Sequence, residues 1–241
     1  MSADTPFTKE NLDACLKELG KEFRKGNGKA MPAEIILIGG ASILANYGFR
    51  DVTYDIDAVI IASTAMKEAI IRVSDKMGLP NGWLNMDFKR TMSYSEKLAE
   101  VSIYYKTFSN VLTVRTITAE YLIAMKLMSG RQYKYDLSDV AGIMWEHEKL
   151  GKPISYEAVD RAVTVLYGGW ANIPSVSKEL VQVAFESVDY EKLFHSSRES
   201  ERQSKEILLN FDRDYPGILK EDNIDTIIQK ARQKQSNGDA K

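Results

Sequence analysis

The segment "ILIGGASILANYGFRDVTYDIDAVII", residues 36–61, constrains the fold more than any other part of the chain. Two apolar runs flank a glycine pair and a short polar-apolar stretch, which predicts strand, turn, short helix and second strand. The second run holds two aspartates, Asp55 and Asp57. Side chains alternate along a strand, so these two share a face, with Cβ atoms roughly 7 Å apart. Carboxylates placed so repel one another unless a cation lies between or beyond them. They read either as solvated residues at a strand end or as ligands of a hard cation such as Mg²⁺, with phosphate oxygens completing its shell.

"GGAS" follows the first strand and opens the helix. Gly39 and Gly40 remove side chains where the backbone must approach something closely. Ser42 adds a hydroxyl beside the helix N-terminus, whose free amides and partial positive charge favour phosphate. The plain alternative is a tight strand-to-helix turn. The segment is not a Walker loop, lacking Lys-Ser or Lys-Thr, nor a dinucleotide fingerprint, lacking the third glycine.

The remaining chain sets limits. Its 241 residues suffice for one large domain or two modest ones, and 44% hydrophobic residues supply a core. A net charge of −2 gives no global field for nucleic acid. The lone Cys15 rules out an internal disulfide framework and reads as a core residue on a helix over residues 8–25 capped by Thr8. The polar start is unlike a signal peptide, and no apolar stretch reaches the length needed to span a membrane, so a cytoplasmic protein is expected. Further helices are expected over "STAMKEAIIRVSDKMGLP", with Ser63 as cap, and two strands around the turn at Ser109-Asn110. "GWLNM" is ambiguous. After Thr118 the texture becomes helical, and the tail "QKQSNGDAK" is expected to fray. The expected fold is α+β: a short mixed twisted sheet flanked by helices over residues 1–118, then a C-terminal helical bundle over 119–241.

"GGAS" followed by "TYDID" resembles the signature of the DNA polymerase β-like nucleotidyltransferase superfamily, carried here by Gly39, Gly40, Ser42, Asp55 and Asp57. "FRDVTYDID" looks like the approach common in bacterial minimal members. "AEYLIAMKLMSGRQYKYDLSDV" is similar to the pattern of AbiEii-type toxin nucleotidyltransferases, through Lys126, Arg131, Asp136 and Asp139. The resemblance covers about residues 33–145. It implies Mg²⁺ held by Asp55 and Asp57, an NTP cradled by Gly39, Gly40 and Ser42, and phosphate contacts from Lys126 and Arg131. Asp136 then stands in for the third carboxylate, which the strands over residues 101–118 lack; Glu100 and Asp87 fit that place poorly. The acceptor hydroxyl is left open among RNA, a partner protein and a small molecule, and a toxin–antitoxin or phage-defence setting is implied.

Read as residues alone, Lys126 is either a triphosphate ligand or a solvated lysine on an amphipathic helix. Arg131, Asp136 and Asp139 are equally an ion-pair network fastening a helix break. Lys89, Arg90, Lys97, Lys106 and Arg115 are a phosphate groove or scattered solvated charge, and Tyr104, Tyr105, Phe108, Tyr133 and Tyr135 are base-stacking or core residues. Two rivals follow: a catalytically weak nucleotidyltransferase-like binding or antitoxin protein, and a helical interaction module on an inert scaffold.

Overall fold

The computed structural model describes residues 6–27, 31–187, 189–220 and 223–238. A mixed five-stranded sheet lies between two helical layers. The strands are β1 (Ala33–Leu37), β2 (Ile56–Ile61), β3 (Leu84–Asn85), β4 (Ser102–Phe108) and β5 (Leu112–Ile117), in the order β3-β2-β1-β5-β4. β1 runs antiparallel to β2 and parallel to β5, while β3 is parallel to β2 and β4 antiparallel to β5. Ser109 and Asn110 turn the β4–β5 hairpin at φ 53° and 56°, the conformation that tight hairpins favour. The ambiguous "GWLNM" supplies β3, with Trp83 buried beside it.

The pleat sorts the core into two. Ile35, Leu37, Ile56, Ala58, Leu112 and Val114 face α1 (Lys9–Asn27) and α3 (Ala65–Met77). Thr8 and Asn11 cap α1 reciprocally, amide to side chain in each direction. Cys15 is buried on its inner face, and that burial pushes its thiol up to about 11. α3 starts with Thr64, not Ser63, at its cap position, and ends on Gly78 in the left-handed conformation.

Ile36, Ile38 and Ile117 face the other way, onto α4 (Ala119–Ser129) and the helices that follow. These are α5 (Asp136–Lys149), α6 (Tyr156–Tyr167), α7 (Ser175–Glu186), α8 (Tyr190–Asp214) and α9 (Ile224–Gly238). The chain passes from sheet to helices at Thr118. Gly130, at φ 55°, ends α4, and a Cβ there would meet the Ser177 hydroxyl at 2.6 Å. α9 carries most of the segment expected to fray; residues 239–241 of that tail, and residues 1–5 of the polar start, lie outside the described residues.

The short α2 (Gly39–Asn46) links β1 to the loop before β2. It begins on the glycines themselves, two residues earlier than the sequence pattern suggests, and ends at Asn46 ahead of Gly48. The antiparallel register pairs Leu37 with Ala58, and the Ile38 amide donates to the Asp57 carbonyl at 2.9 Å. Strand pairing alone therefore sets the start of α2 beside the start of β2.

Candidate functional site

A cavity of about 560 Å³ opens on the α4 side of the sheet. Gly39, Gly40, Asp55 and Asp57 line it from the sheet, and Lys126, Arg131 and Asp136 from α4 and the α4–α5 break. Asp57 shares the β2 face with Val59, which packs toward α4. Asp55 precedes β2 by one residue and is exposed, whereas Asp57 is half-buried. Burial raises the Asp57 carboxyl to about 6, with Asp55 adding to the shift, Arg131 opposing it, Asp87 adding and Lys134 opposing. Two acids crowd one wall.

The opposite wall is cationic. The Lys126 ammonium lies 2.7 Å from Oδ1 of Asp136 and 2.9 Å from Oδ2 of Asp139. Arg131 reaches Oδ2 of Asp136 through Nε at 2.8 Å, and its backbone amide donates to the same oxygen at 3.3 Å. Arg50 donates from Nη1 to Oδ2 of Asp139 at 2.5 Å and from Nε to the Val52 carbonyl at 3.1 Å. Three cations share two carboxylates, and a fourth, Arg198 of α8, comes within 3.7 Å of Oδ1 of Asp139 while stacking 4.0 Å over the Tyr135 ring. Burial works against the charge on Lys126, but Asp136 and Asp139 outweigh it and hold the ammonium above its ordinary range. Burial likewise opposes ionisation of Asp136, and Lys126 and Arg131 override it, holding the carboxyl far below its ordinary range.

Several expectations need correction. Ser42 is fully buried, and its Oγ accepts the Ile117 amide at 3.0 Å, so it fastens α2 to β5 and does not face the cavity. Lys126 is not a solvated lysine; it lines the cavity with its side chain 10% exposed and its ammonium paired to two carboxylates. Asp136 lines the same cavity as Asp55 and Asp57, with its two oxygens paired to Lys126 and Arg131. Of the aromatic candidates, Tyr133 and Tyr135 line the cavity. Tyr105 instead bonds Asp13, and Phe108 packs toward α1. Lys106 is paired with Asp13, and Arg115 is held by Ser102 and Glu34, so neither belongs to a groove.

Gly40 has a local reason. A Cβ there would stand 2.7 Å from Thr53 Oγ1 and 2.8 Å from Arg50 Nη2. The missing side chain makes room for Arg50 to lie against the start of α2. Gly39 has a different reason, its φ of 52°.

Sequence reasoning missed three contributors. Arg50 is one; it stands in "FRDVTYDID" without a recognised role. Glu201 of α8 is another: it is buried, and its Oε1 accepts the amides of Leu137 and Ser138 at 2.8 and 3.2 Å, capping α5 from a distant helix. The third is the inner face of α8 and the turn into α9, through Lys205, Leu208, Leu209, Asp212, Leu219 and Ile224.

The donor set suits Mg²⁺, which characteristically takes one or two carboxylates and completes its shell with substrate phosphates and water. Asp55 and Asp57 are the two acids on the sheet wall that could hold such an ion. Among the described residues no group of three or more Asp, Glu, His or Cys side chains forms a metal site alone.

A family model described as "Nucleotidyltransferase of unknown function (DUF6036)" matches residues 14–193. No curated protein and no solved structure matches the chain. Among the described residues no helix is long and apolar enough to cross a membrane.

Proposed function

This chain belongs to that nucleotidyltransferase family, and from this premise we propose that it transfers a nucleoside monophosphate from an NTP to an acceptor hydroxyl with the help of Mg²⁺. The observation that carries the reading is the cavity's division: two acids on the sheet wall, an excess of cations on the α4–α5 wall, and the start of α2 between them. A triphosphate suits that gap. Its oxygens face the first-turn amides of α2, which lack partners within the helix, and the Arg50 and Arg131 guanidiniums.

In this reading Asp55 and Asp57 hold the metal, which neutralises charge on the phosphate oxygens when bound. Gly39 and Gly40 hold phosphate through backbone amides. Arg131 contacts it while anchored by Asp136, and Lys126 keeps Asp136 and Asp139 in place. The acceptor oxygen attacks the α-phosphorus, the bond from that phosphorus to the bridging oxygen breaks, pyrophosphate leaves, and the hydroxyl proton passes to solvent. The likeness of Lys126, Arg131, Asp136 and Asp139 to the AbiEii-type pattern is what supports a toxin–antitoxin or phage-defence setting.

One observation favours a second reading, a binding or antitoxin protein of low catalytic power: both oxygens of Asp136 are already paired, to Lys126 and Arg131, which leaves Asp55 and Asp57 as the acids without such cations. The two readings part in one experiment. NTP labelled at the α-phosphate is incubated with the protein, Mg²⁺ and cell extract. Transfer of label by the wild type, lost in Asp57→Asn with the circular dichroism spectrum unchanged, supports the transferase. Binding of NTP without transfer supports the second reading, and equal transfer by Asp57→Asn overturns the assignment of the acid pair.

A further inference from the structure

We propose that the wall of the cavity made by the second half of α8 and the turn into α9 is the acceptor subsite, and that it takes a small hydroxyl compound with an apolar body and little net charge. The inference rests on the transfer reading above and names its second substrate class.

The wall sits outside the family match. That match ends at residue 193, whereas the wall is lined by Lys205, Leu208, Leu209, Asp212, Leu219 and Ile224. The acids, the glycines and the cationic α4–α5 break all lie within the match. The part of the chain inside the match thus holds the acids and the phosphate-facing groups, and residues beyond the match face them across the same cavity.

Lys205, Leu208, Leu209 and Asp212 fall at i, i+3, i+4 and i+7 on α8, a single helical stripe turned into the cavity. Leu219 and Ile224 extend it. Leu209 lines the cavity and is still 61% exposed, so an aliphatic surface stands open to whatever enters beside the nucleotide. Apolar walls with a few placed polar groups are how small-molecule sites are built. The wall is also fixed in advance. Arg232 of α9 donates to the Ser200 carbonyl and to the Ser200 and Ser204 hydroxyls of α8.

On this wall the charges give no track for a polynucleotide. Lys205 and Asp212 cancel, whereas a nucleic-acid track needs several cations to neutralise phosphates. The strand residues Lys106 and Arg115 are tied to acids of their own. The step balances as before: the small acceptor's oxygen gains the bond to the α-phosphorus, pyrophosphate leaves, and the proton is released to solvent.

The test offers NTP labelled at the α-phosphate, with Mg²⁺, three acceptor fractions: dialysable small molecules from a cell extract, total RNA, and non-dialysable protein. The wild type is expected to label a dialysable product that is neither NTP nor its hydrolysis product. Leu209→Ser, an exposed position that spares the fold, should raise the amount of dialysable extract needed for half-maximal labelling about tenfold, the loss of one aliphatic contact. The half-saturating NTP concentration should stay unchanged. Label on RNA or protein overturns the acceptor class while leaving transfer intact. An unchanged extract requirement in Leu209→Ser, or an equal rise in both requirements, overturns the subsite. No label on any fraction removes the transfer reading and this inference together.

Discussion

The Lys126 ammonium sits 2.7 Å from Oδ1 of Asp136, the lysine side chain 10% exposed and the aspartate fully buried. With Asp139 2.9 Å away on its other side, Lys126 is the cation that makes two buried carboxylates tolerable. Replacing it by a neutral side chain leaves both acids short of charge. Lys126→Met is expected to cost about 3–5 kcal/mol in a denaturant melt. A loss below about 1 kcal/mol would show that the network adds no more than surface charge does.

The burial of Lys126 had a signal in the sequence. "AEYLIAMKLMS" is apolar nearly all round, and every residue from Leu122 to Met128 is buried. A helix of that composition has no wet face for a lysine, so its ammonium must find acids. That Asp55 and Asp57 turn to one cavity, and the glycine turn, were legible for the same reason, as local patterns with a physical cost attached, although Asp55 stands just before β2 and not on it. Ser42 was not. Its partner is the Ile117 amide, 75 residues away, and only the β1–β5 pairing brings the two together. Glu201 was hidden in "SSRESERQSKE", where a charged residue resembles its solvated neighbours until α5 is packed against it.

The two glycines should respond differently to substitution. Gly39→Ala places a residue at φ 52° with no heavy atom within 4 Å of the new Cβ, so the cost is about 1 kcal/mol of backbone strain. Gly40→Ala drives a methyl against Thr53 and Arg50, costing about 1–3 kcal/mol. Melts should rank Gly40→Ala as the less stable of the two. The reverse order would mean that Arg50 does not rest against α2.

Glu201 gives a pH dependence. Burial raises its carboxyl to about 7, opposed by the Ser138 hydroxyl and the Ser138 and Leu137 amides, with Asp139 raising it further. The folded value lies above the ordinary 4.5, so its contribution to stability is full below pH 4.5 and is lost as pH rises through about 7. The swing for a group this buried is about 3 kcal/mol. Glu201→Gln keeps an acceptor for the α5 amides and cannot ionise. Denaturation between pH 4.5 and 8 should therefore show a slope in the wild type that is reduced in the variant, Asp57 supplying what remains. Parallel curves would place the titration elsewhere.

Arg50 joins the two sides of the site. Its Nη1 holds Asp139, its Nε holds the Val52 carbonyl, and its Nη2 lies where a Gly40 side chain would be, at the start of α2. A lysine at this position keeps a charge for Asp139 but loses the fork and cannot serve three directions at once. Arg50→Lys is expected to cost about 1 kcal/mol of stability, one backbone hydrogen bond. If Nη2 contacts the triphosphate as well, the half-saturating NTP concentration should rise about tenfold, the worth of one charge-assisted contact. The stability and saturation readouts separate the two roles. A stability loss with unchanged NTP saturation would make Arg50 a strut for Asp139 alone, and the phosphate contacts would then fall to Arg131 and the α2 amides.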